Sequence, residues 1–188
     1  MLKNKHKKDN MSVIDGDILE LSINRINSDN NGATVIIPHV CNNINLFGSG
    51  FAGYIAKNYP IVKQNFHLLG SQAKLGHVQY VKIGNNITYR HELIIGNMIA
   101  QNQIINQSNP RPINYEALVR CMINIRNYIL ELNKNDIDVE IHCPKFGSGL
   151  AGGNWNFISD LIEDIWKNQR VFIYNYNRKA DNDQNRSS

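Results

Sequence analysis

Phe146-Gly147-Ser148-Gly149-Leu150-Ala151-Gly152 restates, with one change, the earlier Phe47-Gly48-Ser49-Gly50-Phe51-Ala52-Gly53. Each copy follows an apolar run that reads as a strand, Ala33–Val40 and Val139–Cys143, and each leads into a stretch that reads as a helix. Both copies satisfy G-x-G-x-x-G. Glycines let backbone N–H groups approach an anion closely, and a helix N-terminus behind them adds unpaired donors and a favourable dipole. Two such loops at strand-to-helix junctions predict a ligand held between two backbone cradles, as a diphosphate with its sugars would be.

Outward from the loops, the chain alternates strands and helices. Ser12–Ile14 reads as a short strand ending in Asp15-Gly16-Asp17, and the Val35-Ile36-Ile37 run suits a strand buried on both faces. Phe51–Tyr59 reads as a helix closed by Pro60, and Ile61–Leu69 as a second ending at Gly70. His77–Ile83, the turn Gly84-Asn85-Asn86 and Ile87–Glu92 suggest a hairpin or tight antiparallel connection, followed by a strand over Leu93–Ile99. Helices are predicted over Asn114–Leu132 and from an Asn154 cap through Trp166, and Val171–Tyr174 closes the domain as a strand. This order means an α/β layered fold over a mixed sheet.

Composition narrows the class. At 188 residues the chain fits one domain. Much of the +4 charge sits in Met1–Lys8, an aperiodic basic run expected to be a solvated tail over residues 1–10. Residues 177–188 lack apolar side chains able to pack and are expected to be a second disordered tail. No apolar run reaches the eighteen or so residues of a membrane span, and no signal-peptide stretch follows the basic start. Cys41, Cys121 and Cys143 lack C-x-x-C spacing, which fits reduced thiols in an intracellular, cytoplasmic protein. The six histidines are scattered, so no metal site, no cofactor and no nucleic-acid partner are expected.

The nucleotide-binding alternatives fail on context. A Rossmann fingerprint needs an acidic residue about twenty positions on, ending the next strand. After Gly53 the corresponding stretch, Phe66–Lys74, is neither a strand nor acidic, and after Gly152 the next strand ends Tyr174-Asn175-Tyr176 without acid. No G-x-x-x-x-G-K-[ST] occurs, which excludes a P-loop.

Several ordered motifs resemble the macro domain family. Val13-Ile14-Asp15-Gly16-Asp17-Ile18 looks like its adenine-binding strand end. Pro38-His39-Val40-Cys41-Asn42-Asn43, running to Gly48–Ala52 and on to Ala56-Lys57-Asn58-Tyr59-Pro60, is similar to the ribose loop of the yeast-type ADP-ribose-1″-phosphate phosphatase branch. Asn97–Gln101, Ile113–Leu118 and Pro144–Trp155 resemble segments of phage and bacterial members. The likeness covers residues 11–176 and implies a three-layer fold, a mixed central sheet flanked by helices.

The resemblance also implies roles. Asp17 would accept from the adenine amine and the Ile18 amide would donate to a ring nitrogen; a helix-cap carboxylate is the competing reading of Asp17. Gly147, Ser148, Gly149, Leu150, Ala151 and Gly152 would wrap the diphosphate, and Gly48, Ser49, Gly50 and Phe51 would close over the distal ribose. Tyr174 or Asn175 would pack against the adenine, or Tyr174 would be plain edge packing. His39 and Asn42 are the catalytic candidates: a histidine there serves as acid, base or anion donor, or else is a half-buried strand histidine bonded to a carbonyl. His142 is expected to be structural, and Trp155 to pack under the loop. Where one branch carries a lysine and an aspartate for removing ADP-ribose from glutamate, this chain has Gln101 and Ala151, which makes that mechanism unfit here. The Asn-Ala-Ala-Asn signature of another branch is replaced by Cys41-Asn42-Asn43. The expected activity is phosphate removal from ADP-ribose 1″-phosphate by a monomer. The alternatives are a reader of ADP-ribose or ADP-ribosylated protein, or a de-ADP-ribosylating hydrolase using other residues.

Overall fold

The computed structural model describes residues 10–28, 32–83 and 91–175. Six strands form one sheet in the order β1-β6-β5-β2-β4-β3, with β1 Met11–Asp15, β2 Thr34–Asn42, β3 Val78–Ile83, β4 Leu93–Gln101, β5 Val139–Pro144 and β6 Arg170–Asn175. All neighbours run parallel except β3, which pairs antiparallel with β4 at one edge. The predicted turn at Gly84-Asn85-Asn86 and the strand at Ile87–Glu92 fall mostly outside the described residues; β3 pairs antiparallel with β4, the strand expected at Leu93–Ile99.

Alternation along each strand sorts side chains between two helical layers. On one face Val35, Ile37 and Cys41 of β2 and Leu93, Ile95 and Ile99 of β4 pack with α1 (Ile18–Ile26), α2 (Gly50–Asn58) and α3 (Pro60–Leu68). On the other, Ile36, Ile94, Met98, Ile141, Cys143, Val171 and Ile173 pack with α4 (Tyr115–Asn133) and α5 (Trp155–Ile165). Helix α4 buries Leu118, Met122, Ile125 and Ile129, the stripe its sequence spacing presents, and α5 buries Ile158 and Ile162 with Trp166 behind them. No described helix is long and apolar enough to cross a membrane.

Two sequence expectations are corrected. Asn10, placed in the basic tail, is tied down: its Nδ2 donates to the carbonyls of Trp166 at 3.0 Å and Gln169 at 3.1 Å, and its own carbonyl accepts from Val171. Helix α1 had no counterpart in the sequence reading. Asp17 caps it, accepting from the amides of Leu19 and Glu20 at 2.9 Å, and it buries Ile18, Leu19, Ser22 and Ile26.

Candidate functional site

The C-terminal ends of β1, β6, β5, β2 and β4 lie along one edge of the sheet. From β2 the chain leaves to α2 on one face, and from the adjacent β5 it leaves to α5 on the other. Such a topological switch opens a crevice where ligands bind in α/β sheets. Here the strands also part. The β2–β5 ladder runs only from Thr34–Val139 to Ile36–Ile141, while β2 continues to Asn42 along β4 alone. Pro38, two residues past the last rung, has no N–H to extend it. The splayed ends carry the two glycine loops, and the loops meet: a Cβ on Gly50 would lie 3.4 Å from Leu150 Cδ1.

The first loop is braced from within. Asn42 Oδ1 accepts from the amides of Ile44 and Leu46, both at 3.1 Å, and its Nδ2 donates to the Leu46 carbonyl at 2.6 Å. The loop delivers Gly48 and Gly50 at left-handed φ of +146° and +55° into the start of α2. Helices α1, α4 and α5 are each capped by a side chain, from Asp17, Asn114 and Asn154. At α2 the N-cap Ser49 makes no side-chain bond, so its first-turn amides stay open toward the crevice.

The second loop is a closed ring of backbone. Gly153 N–H donates to Gly147 O at 2.8 Å, Gly152 N–H to Gly149 O at 2.9 Å, and Ser148 Oγ to Lys145 O at 2.8 Å. Among the described residues the amides of Ser148, Gly149, Leu150 and Ala151 make no hydrogen bond. Gly147 and Gly152 hold φ of +75° and +70°, which only glycine adopts without strain, whereas Gly149 does not. Because Asn154 caps α5 from its own side chain, the donors on this side come from the loop and not from the helix end. Trp155 is half-buried beneath the loop, with Lys145 Nζ 5.9 Å above its ring.

Beyond the loops, a groove of about 620 Å³ runs between α1 and α2, lined by Asp17, Leu19, Ile23, Gly50, Tyr54 and Lys57 among others. Asp17 is a cap, as its competing reading held, yet it also faces this groove. Its second oxygen, Oδ2, accepts from Tyr54 O–H at 2.5 Å. Ile18 is buried, and its amide stands at the first position of α1.

His39 is 2% exposed. Its Nε2 lies 2.7 Å from Asn97 Oδ1, Asn97 Nδ2 donates to Gln79 Oε1 at 2.9 Å, and Gln79 Nε2 donates to Asn65 O at 2.8 Å. This makes Nε2 the protonated ring nitrogen. Phe47 and Phe51 cover the ring edge-on at 5.7 and 5.6 Å. Burial, only partly offset by the Asn97 bond, holds the imidazole down to about 4, so it is neutral at physiological pH. Cys41 Sγ lies 3.7 Å from Nδ1 and 3.9 Å from Nε2, nearly equidistant and so off the line of the Nδ1 lone pair; burial also pushes its thiol up. The pair therefore does not form an activated thiolate.

No family model matches the sequence. A curated relative, an uncharacterised 17.5 kDa protein from the tk-vs intergenic region of Enterobacteria phage T4, is 28% identical over 147 residues, covering 74% of this chain and 85% of that protein. A macrodomain protein from Streptomyces coelicolor superposes with a TM-score of 0.66 at 23% identity, over 89% of this chain and 99% of its own. The chain has the macrodomain fold. A DarTG protein from Thermosipho africanus, solved in complex with ADP-ribose, superposes with a TM-score of 0.65 at 16% identity, over 89% of this chain and 42% of that one.

Within this macrodomain fold, several expected site residues have partners inside the protein. Tyr174 does not present its ring to the crevice; it is 3% exposed, with its hydroxyl 3.0 Å from His142 Nδ1. Asn175 is half-buried and donates to Asp15 Oδ1 at 2.8 Å. Asn42 spends its amide on the loop backbone, and that explains its 8% exposure. His142 is structural as expected, but it faces α1 and not the Ile141–Cys143 side. Ser22 Oγ lies 2.9 Å from its Nδ1 and Glu140 Oε2 is 3.3 Å from its Nε2. Glu140 also takes both Nε and Nη2 of Arg25 at 2.8 Å. Burial would raise this carboxyl, but the bonds from His142 and Arg25 and the charge of Arg170 bring it down to about 2. Tyr54 and Lys57 were missed as site residues. The signal available was their i+4 and i+7 spacing from Gly50, which puts them on one face of α2.

Proposed function

We propose that this protein binds ADP-ribose or a close derivative in the crevice between the two glycine loops. The observation that carries this reading is the set of four loop amides at Ser148–Ala151, without internal partners among the described residues, opposite the uncapped start of α2. Both are sources of N–H donors suited to a diphosphate, which brings its own charge and needs no metal-like counter-charge from side chains. In this reading Asp17 and the Ile18 amide take the adenine, and Gly48–Phe51 the distal ribose. The structural neighbour from Thermosipho africanus, solved with ADP-ribose, supports the choice of ligand.

The catalytic extension is hydrolysis of ADP-ribose 1″-phosphate. His39 favours it in one respect, since a neutral imidazole is in the protonation state of a base. The cover of Phe47 and Phe51 must open before the ring can reach a ligand. A protein that binds without opening is a reader, and one that releases ADP-ribose from modified protein works with other residues. Calorimetry with ADP-ribose tests the binding, and separate assays of phosphate and ADP-ribose release divide the three activities. Absence of measurable ADP-ribose binding at millimolar ligand refutes the reading.

A further inference from the structure

We propose that Tyr54 selects the base of the ligand, acting as the wall of the α1–α2 groove and as the clamp on Asp17. This rests on the ADP-ribose reading. Asp17 has four acceptor sites on two oxygens, and three are spoken for: Oδ1 takes the Leu19 and Glu20 amides, and Oδ2 takes the Tyr54 hydroxyl. Three donors fix the carboxylate in place, and one lone pair on Oδ2 remains for a ligand in the groove that Asp17 lines. An acceptor held this way rewards a base with an exocyclic amine and penalises one with an oxo group at the same position, since Asp17, exposed in the free protein, would be covered by the bound base and left facing another acceptor.

The ring has its own part. Tyr54 is half-buried, lines the groove, and stacks tilted on Phe51 at 5.8 Å, while Phe51 meets His39 at 5.6 Å. The α1 side presents the aliphatic Leu19 and Ile23 together with the polar Glu20 and Asn24, and Gly53 adds no side chain. A flat aromatic heterocycle fits such a slot, and its size suits a groove within the range of small-molecule sites. The phenol and the ring therefore do separable work: the first sets which base edge is accepted, the second holds the base at all.

The test is calorimetric titration of the full chain with ADP-ribose and with its hypoxanthine counterpart, in which the 6-amino group is replaced by 6-oxo. Wild type should prefer ADP-ribose by at least tenfold. Tyr54→Phe keeps the ring on Phe51 and releases Oδ2, so the preference should fall below threefold. Tyr54→Ala should weaken both ligands tenfold or more. A purely structural tyrosine would shift Tm but leave the ratio of the two affinities unchanged, and that outcome overturns the proposal. Wild type that binds both ligands equally also overturns it. If wild type binds neither, the ADP-ribose reading beneath it falls; if it binds and the Tyr54 variants behave as wild type, this inference alone falls.

Discussion

Gly149→Val puts the central reasoning at risk in one substitution. Gly149 is exposed, its φ lies outside the left-handed region, and a Cβ there would meet no atom within 4 Å. The valine should therefore cost the fold no more than about 0.5 kcal/mol, the ordinary scale of a surface change. The open space it fills is the approach to the Ser148–Ala151 amides. Hydrogen bonds to a charged group contribute about 1.5–3 kcal/mol each. Holding a diphosphate off two of those amides should then cost roughly 3–6 kcal/mol, more than a hundredfold in Kd. Gly147→Ala is the contrasting control. Its φ of +75° and the 3.1 Å gap to Ile158 Cδ1 should cost roughly 1–3 kcal/mol of stability. Thermal melts and ADP-ribose calorimetry on both variants read the two effects separately. A Gly149→Val protein that melts like wild type and binds ADP-ribose with unchanged affinity refutes the assignment of this loop as the diphosphate cradle.

Stability should fall with acid in two stages. His39 has a folded value near 4, below its unfolded 6.5, so the unfolded state takes the proton first and stability drains as pH falls from about 6.5 to 4; Glu140, lowered to about 2, drains it from about 4.5 to 2. Urea melts across pH should show both windows, with His39→Gln removing the upper one; a single step below pH 4 contradicts the neutral, buried His39. Asn42→Ala should speed hydrogen exchange at the Ile44 and Leu46 amides, at a cost of about 1–3 kcal/mol to local order, while Asn42→Asp keeps the accepting oxygen but sets its other oxygen against the Leu46 carbonyl, and should protect them only in part. Equal exchange in the two variants would mean the loop is braced by something else. Glu140→Gln should destabilise by about 3–5 kcal/mol, because Arg25 is left with a neutral partner in a site where the carboxylate is 2% exposed. A loss under 1 kcal/mol in a denaturant melt would show that the pair is compensated by solvent.

What the sequence made legible was what repeats locally. The glycine loops, the doubly buried β2 and the apolar stripes of α4 and α5 each declare themselves within a short window of residues. Helix α1 did not, because its buried face includes Ser22, whose hydroxyl is there for His142 on β5, more than a hundred residues away. Tyr174 left two readings open, ligand platform or plain packing, and the histidine that meets its hydroxyl lies on another strand and so is out of reach of any local pattern. Asn42 was expected to be catalytic, and Asp17 either an adenine acceptor or a helix cap. Both accept from backbone amides two to four residues onward, bonds that depend on how the turn closes and that residue type alone leaves open. The parting of β2 from β5 coincides with Pro38, the one residue of β2 without an N–H to extend the ladder.

The chain of amides from His39 through Asn97 and Gln79 to Asn65 is wired in one direction. Every link points its donor away from the imidazole and toward α3, and the last oxygen belongs to a main-chain carbonyl that cannot be turned round. Reversing the imidazole would require two carboxamides to flip together and would set one oxygen against that carbonyl. The ladder behaves as a one-way valve on the ring. With Nε2–H held by Asn97, the lone pair stays on Nδ1, and Gln79 and Asn97 on the two strands beyond β2 fix that tautomer.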